Sequence, residues 1–135
     1  MITEDYVSFK TAKLLKEKGF VGESEIGCRC GFYEQNKEYP NQINLVYDDL
    51  DNSELECNEC LRFTHQMALK WLREVHNLCV APYAAAFRYG FTIDKADTGS
   101  NIGNEKTLSI PNYSEITTWE EACEAGIKYC LENLI

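Results

Sequence analysis

The chain has 135 residues, enough for one ordinary domain that buries well over half of its unfolded surface and needs no metal or disulfide for stability. Acidic residues outnumber basic ones by 22 to 13. Proteins bind the phosphates of nucleic acids mainly through Lys and Arg, so this excess argues against a nucleic-acid partner. No apolar run approaches the roughly 20 residues of a membrane span, so we also expect no membrane partner.

The N-terminal residues MITEDYVSFK carry acids where a signal peptide carries bases, and they contain no long apolar stretch. We therefore expect a cytoplasmic protein. Seven cysteines, an odd number, are then expected to be reduced thiols and not a disulfide framework.

Two amphipathic helices are predicted in the first half of the chain. In YVSFKTAKLLKEKGF, Ser8 is placed to cap the helix and Gly19 to end it. In THQMALKWLREVHN, Thr64 is placed to cap, and apolar residues recur at the spacing of a buried helical stripe.

A third helix is predicted at the end of the chain, in TWEEACEAGIKYCLENLI. It opens with a capping box from Thr118 to Glu121. Cys123 and Cys130 lie two turns apart on its apolar stripe, so we interpret both as core residues.

Between the helices the apolar pattern changes to a period of two, which predicts strands in IGCRCGFYE, INLVY and YAAAFRYGFTI. In the last of these, alternate residues from Tyr83 to Ile93 share one face, and Pro82 separates the strand from a short one over 78–81. Residues 94–106 are rich in turn formers and predict a loop, followed by a short strand near 108–110.

This order of elements predicts an α+β fold, with an antiparallel sheet of about four strands and three helices packed mainly on one face. The connections are too short for many parallel crossovers. We expect a single domain over residues 1–135.

The spacing Cys57-x2-Cys60-x4-His65 matches the first three ligands of a retroviral-type zinc knuckle, but Lys70 stands where the fourth ligand belongs. Cys28 or Cys30 would have to supply that ligand. The alternative zinc site therefore uses Cys57, Cys60 and His65, with a fourth ligand from either Cys28 or Cys30. Cys28 and Cys30 fit the alternation of apolar residues in the predicted strand IGCRCGFYE. We therefore favour ordinary reduced thiols and expect no metal ligand or cofactor.

No motif indicates catalysis, so we predict no catalytic residue. A redox role for the CNEC segment, residues 57–60, is disfavoured because the neighbouring carboxylates of Glu54, Glu56 and Glu59 raise a thiol's pKa. His65 and His76 lie about 16 Å apart along one predicted helix and therefore cannot share a site.

The segments ITEDYVSFKTAKLLKEKGF, THQMALKWLREVHNL and EEACEAGIKYCLENLI resemble a family of small uncharacterised proteins encoded by phages and prophages of gut bacteria. The three segments are the predicted helices, so the resemblance carries packing information. It implies a phage or mobile-element setting and no particular reaction or ligand.

The leading hypothesis is a small accessory protein that has no catalytic centre and binds an unknown protein partner, with eight tyrosines and an uncovered sheet face offering contact surface. One alternative is a zinc-stabilised binding module built on the CNEC segment. Another is a small enzyme with a cleft between the helices and the loop over 94–106. The oligomeric state, and whether the acidic stretch from Asp48 to Glu59 is a contact surface, stay open.

Overall fold

The computed structural model describes residues 2–21, 31–48, 50–104 and 116–135, and within them it contains three helices and six strands. In chain order the elements are α1 (Phe9–Glu17), β1 (Phe32–Gln35), β2 (Ile43–Val46), β3 (Glu59–Leu61), α2 (His65–His76), β4 (Leu78–Ala85), β5 (Arg88–Lys95), β6 (Asn101–Asn104) and α3 (Trp119–Asn133). The predicted α+β class and the three predicted helices are confirmed. None of these helices is long and apolar enough to cross a bilayer.

The described strands form two antiparallel sheets of three strands each, in the orders β2-β1-β3 and β4-β5-β6. The chain correspondingly divides into two compact units, a first unit over 1–64 and a second unit over 65–135. The structure thus differs in detail from the single four-stranded sheet that the sequence suggested. That the chain folds as one domain stays a prediction.

In the first unit, α1 packs against the sheet beside β3. The helix begins after Ser8, whose hydroxyl accepts a hydrogen bond from the backbone N–H of Thr11 at 3.3 Å, as the sequence predicts. The Tyr33 hydroxyl of β1 donates to the carbonyl of Val7 at 2.6 Å, and its ring lies edge-on to Phe9. These contacts fix the start of α1 on the sheet.

In the second unit, β4 and β5 form a long hairpin on which α3 packs, while α2 contacts β4 and α3. Phe91 of β5 and Ile127 of α3 are completely buried in this core. Cys123 and Cys130 are buried as predicted. A Cβ added at Gly126 would overlap the side chain of Val80, so glycine lets α3 lie close to the sheet.

Helix α3 begins at the predicted cap: the Thr118 hydroxyl accepts from the backbone N–H of Glu121 at 3.1 Å. The Glu121 carboxylate accepts from the backbone N–H of Thr117, one residue before the cap, at 3.1 Å. The capping box is therefore formed, with its return bond displaced by one residue.

The predicted continuous strand over 83–93 is instead a hairpin that reverses at Ala86 and Phe87, since Ala85 pairs with Arg88. Neither turn residue is a usual turn former, so the residue types do not predict the reversal. Pro82 lies inside β4, which is the edge strand of its sheet, where a missing N–H is tolerated. Part of the predicted loop over 94–106 forms β6. The predicted strand near 108–110 lies outside the described residues.

Candidate functional site

The CNEC segment forms a tight turn that leads into β3. The backbone N–H of Glu59 donates to the carbonyl of Glu56 at 3.1 Å, and the Glu59 carboxylate accepts from the N–H of Glu56 at 2.9 Å. This turn leaves Cys57 exposed and buries Cys60 in the sheet. Burial raises the pKa of the Cys60 thiol to about 12, although the nearby Lys16 and Lys13 ammonium groups oppose the rise. Cys60 is therefore a protonated core thiol at neutral pH.

Lys16 of α1 holds this turn in place. Its ammonium group donates to the carbonyl oxygens of Glu56 and Glu59, both at 2.6 Å, and lies 3.5 Å from that of Leu55. A charged donor shared among backbone carbonyls is stronger than a neutral hydrogen bond. Lys16 therefore anchors the CNEC turn to α1.

The residues of the zinc alternative have different surroundings. Cys57 is exposed, Cys60 is buried, and His65 begins α2 in the second unit. Cys28 and Cys30 lie outside the described residues. Among residues 2–21, 31–48, 50–104 and 116–135, no group of three or more His, Cys, Asp or Glu side chains is arranged to hold a metal ion.

His65 forms a partly buried pair with Glu124 of α3, with Nε2 and Oε2 2.8 Å apart. Burial alone would lower the pKa of His65, but hydrogen bonds to the side chains of Cys123 and Glu124 outweigh it and raise the pKa to about 10. The imidazolium is therefore charged at neutral pH and ties α2 to α3. Sequence reasoning missed Glu124, because nothing in the residue pattern relates it to a residue 59 positions earlier.

Cysteine, histidine and carboxylate in one cluster have the residue types of a nucleophilic site. Such a site needs a sulfur that a substrate can reach. Here Cys123 is buried in the core of the second unit. We therefore interpret the cluster as a structural tie. His76 lies at the other end of α2 with its ring 4.5 Å from that of Trp71, so the two histidines have separate surroundings, as predicted.

The tip of the β4–β5 hairpin carries an exposed aromatic side chain in a strained backbone conformation. Phe87 has a φ of +64° and exposes 105 % of its reference area. The preceding residues, Ala84 to Ala86, are exposed as well. A bulky residue in this left-handed region is unusual, because its Cβ crowds the backbone.

Asn77 shows by contrast how a positive φ is normally accommodated. It has a φ of +58° directly after α2, a position where helices commonly end in this conformation. Its side chain donates to the Asp97 carboxylate at 3.0 Å and accepts from the Asp97 N–H at 2.9 Å. Asn77 therefore serves the fold, whereas the exposed ring of Phe87 packs against nothing in the described chain.

A second apolar feature lies on the first unit, along β2. Ile43 and Leu45 are each 36 % exposed, and Tyr47 just beyond the strand is 69 % exposed. The period of two places all three on one face, as the sequence predicts. A cavity of about 430 Å³ is lined by residues of β1, of the β1–β2 turn and of the CNEC turn, among them Glu34, Glu38, Glu56 and Glu59.

The chain matches no family model, no curated protein and no solved structure.

Proposed function

We propose that this chain is a non-catalytic protein-interaction module that binds its partner through the tip of the β4–β5 hairpin. Phe87 is the anchor, and it enters an apolar pocket of the partner. Aromatic residues that insert into pockets carry a large share of the energy of many interfaces.

The observation that supports this proposal most is the combination of strain and exposure at Phe87. A left-handed conformation costs a non-glycine residue roughly 1–2 kcal/mol. Burying a phenylalanine side chain contributes roughly 1.5–3 kcal/mol, and an exposed ring gives the folded chain none of it. Phe87 therefore lowers the stability of the unbound folded chain. A bound partner would compensate by burying the ring.

The surroundings of Phe87 suit an anchor. The three alanines beside it have short side chains, so a partner surface can approach the hairpin backbone closely. They also lose no side-chain entropy when they are covered. Ala84 pairs with Tyr89 and Ala85 with Arg88, so the hairpin is formed up to its tip, which lowers the ordering cost of binding.

We place this module among phage- or prophage-encoded accessory proteins of gut bacteria, acting in the cytoplasm. The resemblance of the three helical segments supports the setting. The proposal involves no metal, since neither Phe87 nor the alanines beside it are metal ligands. About one equivalent of zinc per freshly purified chain, with unfolding by a chelator, would instead support the zinc-stabilised alternative.

The test compares the wild-type chain with Phe87→Asn in affinity capture from host lysate. Asparagine tolerates a positive φ, so this variant removes the ring and keeps the turn. The matched control is Val75→Asn, because Val75 of α2 is also apolar and 61 % exposed. We expect a protein that the wild type and the control capture and Phe87→Asn does not.

The captured partner is then purified and titrated by calorimetry against each variant. Loss of a central aromatic anchor costs about 2 kcal/mol or more, so we expect at least about 30-fold weaker binding by Phe87→Asn. Equal affinities of the wild type and Phe87→Asn would refute the proposal.

A further inference from the structure

We infer that the outer edge of β2 is a second binding site, which accepts an extended, basic segment of a protein by strand addition. This site lies on the first unit and does not depend on the hairpin tip of the second. Four properties of β2 support it: the direction of its backbone groups, its lack of protection, its side chains and the charge around it.

The register shows which backbone groups of β2 are available. Asn36 donates its N–H to the carbonyl of Gln42 at 2.9 Å, which makes these two residues a hydrogen-bonded pair. Such pairs alternate along antiparallel strands, so Asn44 also directs its N–H and C=O toward β1. Ile43 and Leu45 therefore direct theirs outward, and no strand in the described part of the chain pairs with that edge.

Among the residues that the structure describes, nothing gives the edge of β2 the usual protection against strand addition. Natural edges carry charges, prolines or bulges, or are very short. The strand β4 contains Pro82, and β3 has three residues beside the turn held by Lys16. By contrast, β2 has the sequence Ile-Asn-Leu-Val, with no charge or proline, and pairs with β1 in regular register.

The exposed side chains of β2 provide apolar contacts for an added strand. Ile43, Leu45 and Tyr47 form a stripe along one face. A strand added beside β2 would place every second side chain next to this stripe. Recognition by strand addition combines backbone hydrogen bonds with such alternate side-chain contacts.

Charge indicates the chemistry of the occupant. Residues 31–60 carry eight acids and a single base, Lys37, whose ammonium lies 3.3 Å from the Glu56 carboxylate. The cavity lined by Glu34, Glu38, Glu56 and Glu59 lies along β1 and reaches the β1–β2 turn, at one end of β2. A second copy of this chain would bring two acidic units of like charge together. A segment that alternates apolar residues with Lys or Arg would complement it.

The experiment measures the binding of fluorescein-labelled six-residue peptides to the full chain by anisotropy. The probe is Lys-Val-Lys-Val-Lys-Val, and its matched control replaces each lysine with glutamate. We expect the lysine peptide to bind at least about tenfold more tightly, with the difference shrinking as salt is raised.

Two changes test the backbone contacts. Methylation of the peptide's backbone nitrogens, and Leu45→Pro in the protein, each remove donors at the shared edge; both are expected to weaken binding about tenfold or more. The methylated peptide leaves the protein unchanged, so it stays informative if Leu45→Pro fails to fold. Phe87→Asn should bind the peptide normally, which separates this site from the hairpin tip. The inference would be overturned if peptide affinity were unchanged both by backbone methylation and by replacement of the lysines with glutamate. Self-association of the chain through β2, detected by sedimentation, would also overturn it.

Discussion

The two compact units hold their elements together by different means. In the first unit, side chains bind backbone groups: Lys16 donates to the CNEC turn, and the Asn52 amide donates to the carbonyl of Phe20 at 2.6 Å and accepts from the N–H of Leu61 at 2.8 Å. In the second unit, apolar packing dominates. Among the described residues, six buried hydrophobic side chains lie in the first unit and twelve in the second.

This difference teaches where each unit is vulnerable. A small apolar core contributes little to stability, so the first unit depends on individual hydrogen bonds. The free energy of local opening of its CNEC turn should therefore be lower than the free energy of unfolding of the whole chain. The second unit depends on the shape of its core and on a buried ion pair. We expect substitutions in the second unit to change global stability and those in the first to change local opening.

The largest expected effect concerns the pair of His65 and Glu124. Glu124→Gln removes the partner of a partly buried charge, and we expect a cost of about 3 kcal/mol of unfolding free energy near neutral pH. The loss is measured by denaturant unfolding. The control is Glu74→Gln, which breaks an exposed ion pair with Lys70 at 3.9 Å and should cost under about 0.5 kcal/mol.

The same pair predicts a pH dependence with a definite sign. The pKa of His65 is about 10 in the folded chain and near 6.5 when unfolded. Because the folded value is the higher one, the stabilisation is complete below about pH 6.5 and is lost as pH rises through 10. The difference in unfolding free energy between wild type and Glu124→Gln should shrink from pH 6 to pH 10. A difference that stays constant over this range would contradict a charged His65.

The next effect concerns the close approach of α3 to the sheet at Gly126. Gly→Ala normally stabilises a helix by up to about 1 kcal/mol, but here the added methyl overlaps Val80 and lies 3.3 Å from the Phe91 ring. We expect Gly126→Ala to lower the free energy of unfolding by about 1–3 kcal/mol. The double variant Gly126→Ala, Val80→Ala makes room, so the two changes should be less than additive. Strict additivity in thermal unfolding would count against the packing described.

The smallest global effect is expected in the first unit. Lys16→Met keeps an apolar stem but removes the charged donor from the CNEC turn, and we expect a loss of about 1 kcal/mol in global stability. The local effect should be clearer: amide hydrogen exchange over residues 55–60 becomes faster. Lys10→Met, on the exposed side of α1, is the control. Equal exchange in both variants would show that Lys16 does not hold the turn.

Sequence periodicity predicted the α+β class, the three helices and their caps at Ser8 and Thr118, because these depend on local spacing and on side chains near each helix end. It did not predict the division into two sheets, which depends on long-range pairing. It also missed the tie between His65 and Glu124 and the carbonyl contacts of Lys16, since their partners lie 59 and about 40 positions away.

The most informative miss is the reversal at Ala86 and Phe87. The sequence pattern there is that of a strand, and a turn is formed without Gly, Asn, Asp or Pro. Local preference and structure disagree at this point, and such disagreements concentrate at functional sites. The hairpin tip was therefore invisible to sequence reasoning for the same reason that makes it a candidate binding site.

The central claim is that Phe87 serves binding and not folding, and the free energy of unfolding of Phe87→Gly tests it most directly. Glycine adopts a positive φ without strain, and the exposed ring packs against none of the described residues, so we expect a gain of about 0.5–1 kcal/mol over wild type in denaturant unfolding. A loss of 1 kcal/mol or more would show that the Phe87 side chain stabilises the fold, and would contradict the account.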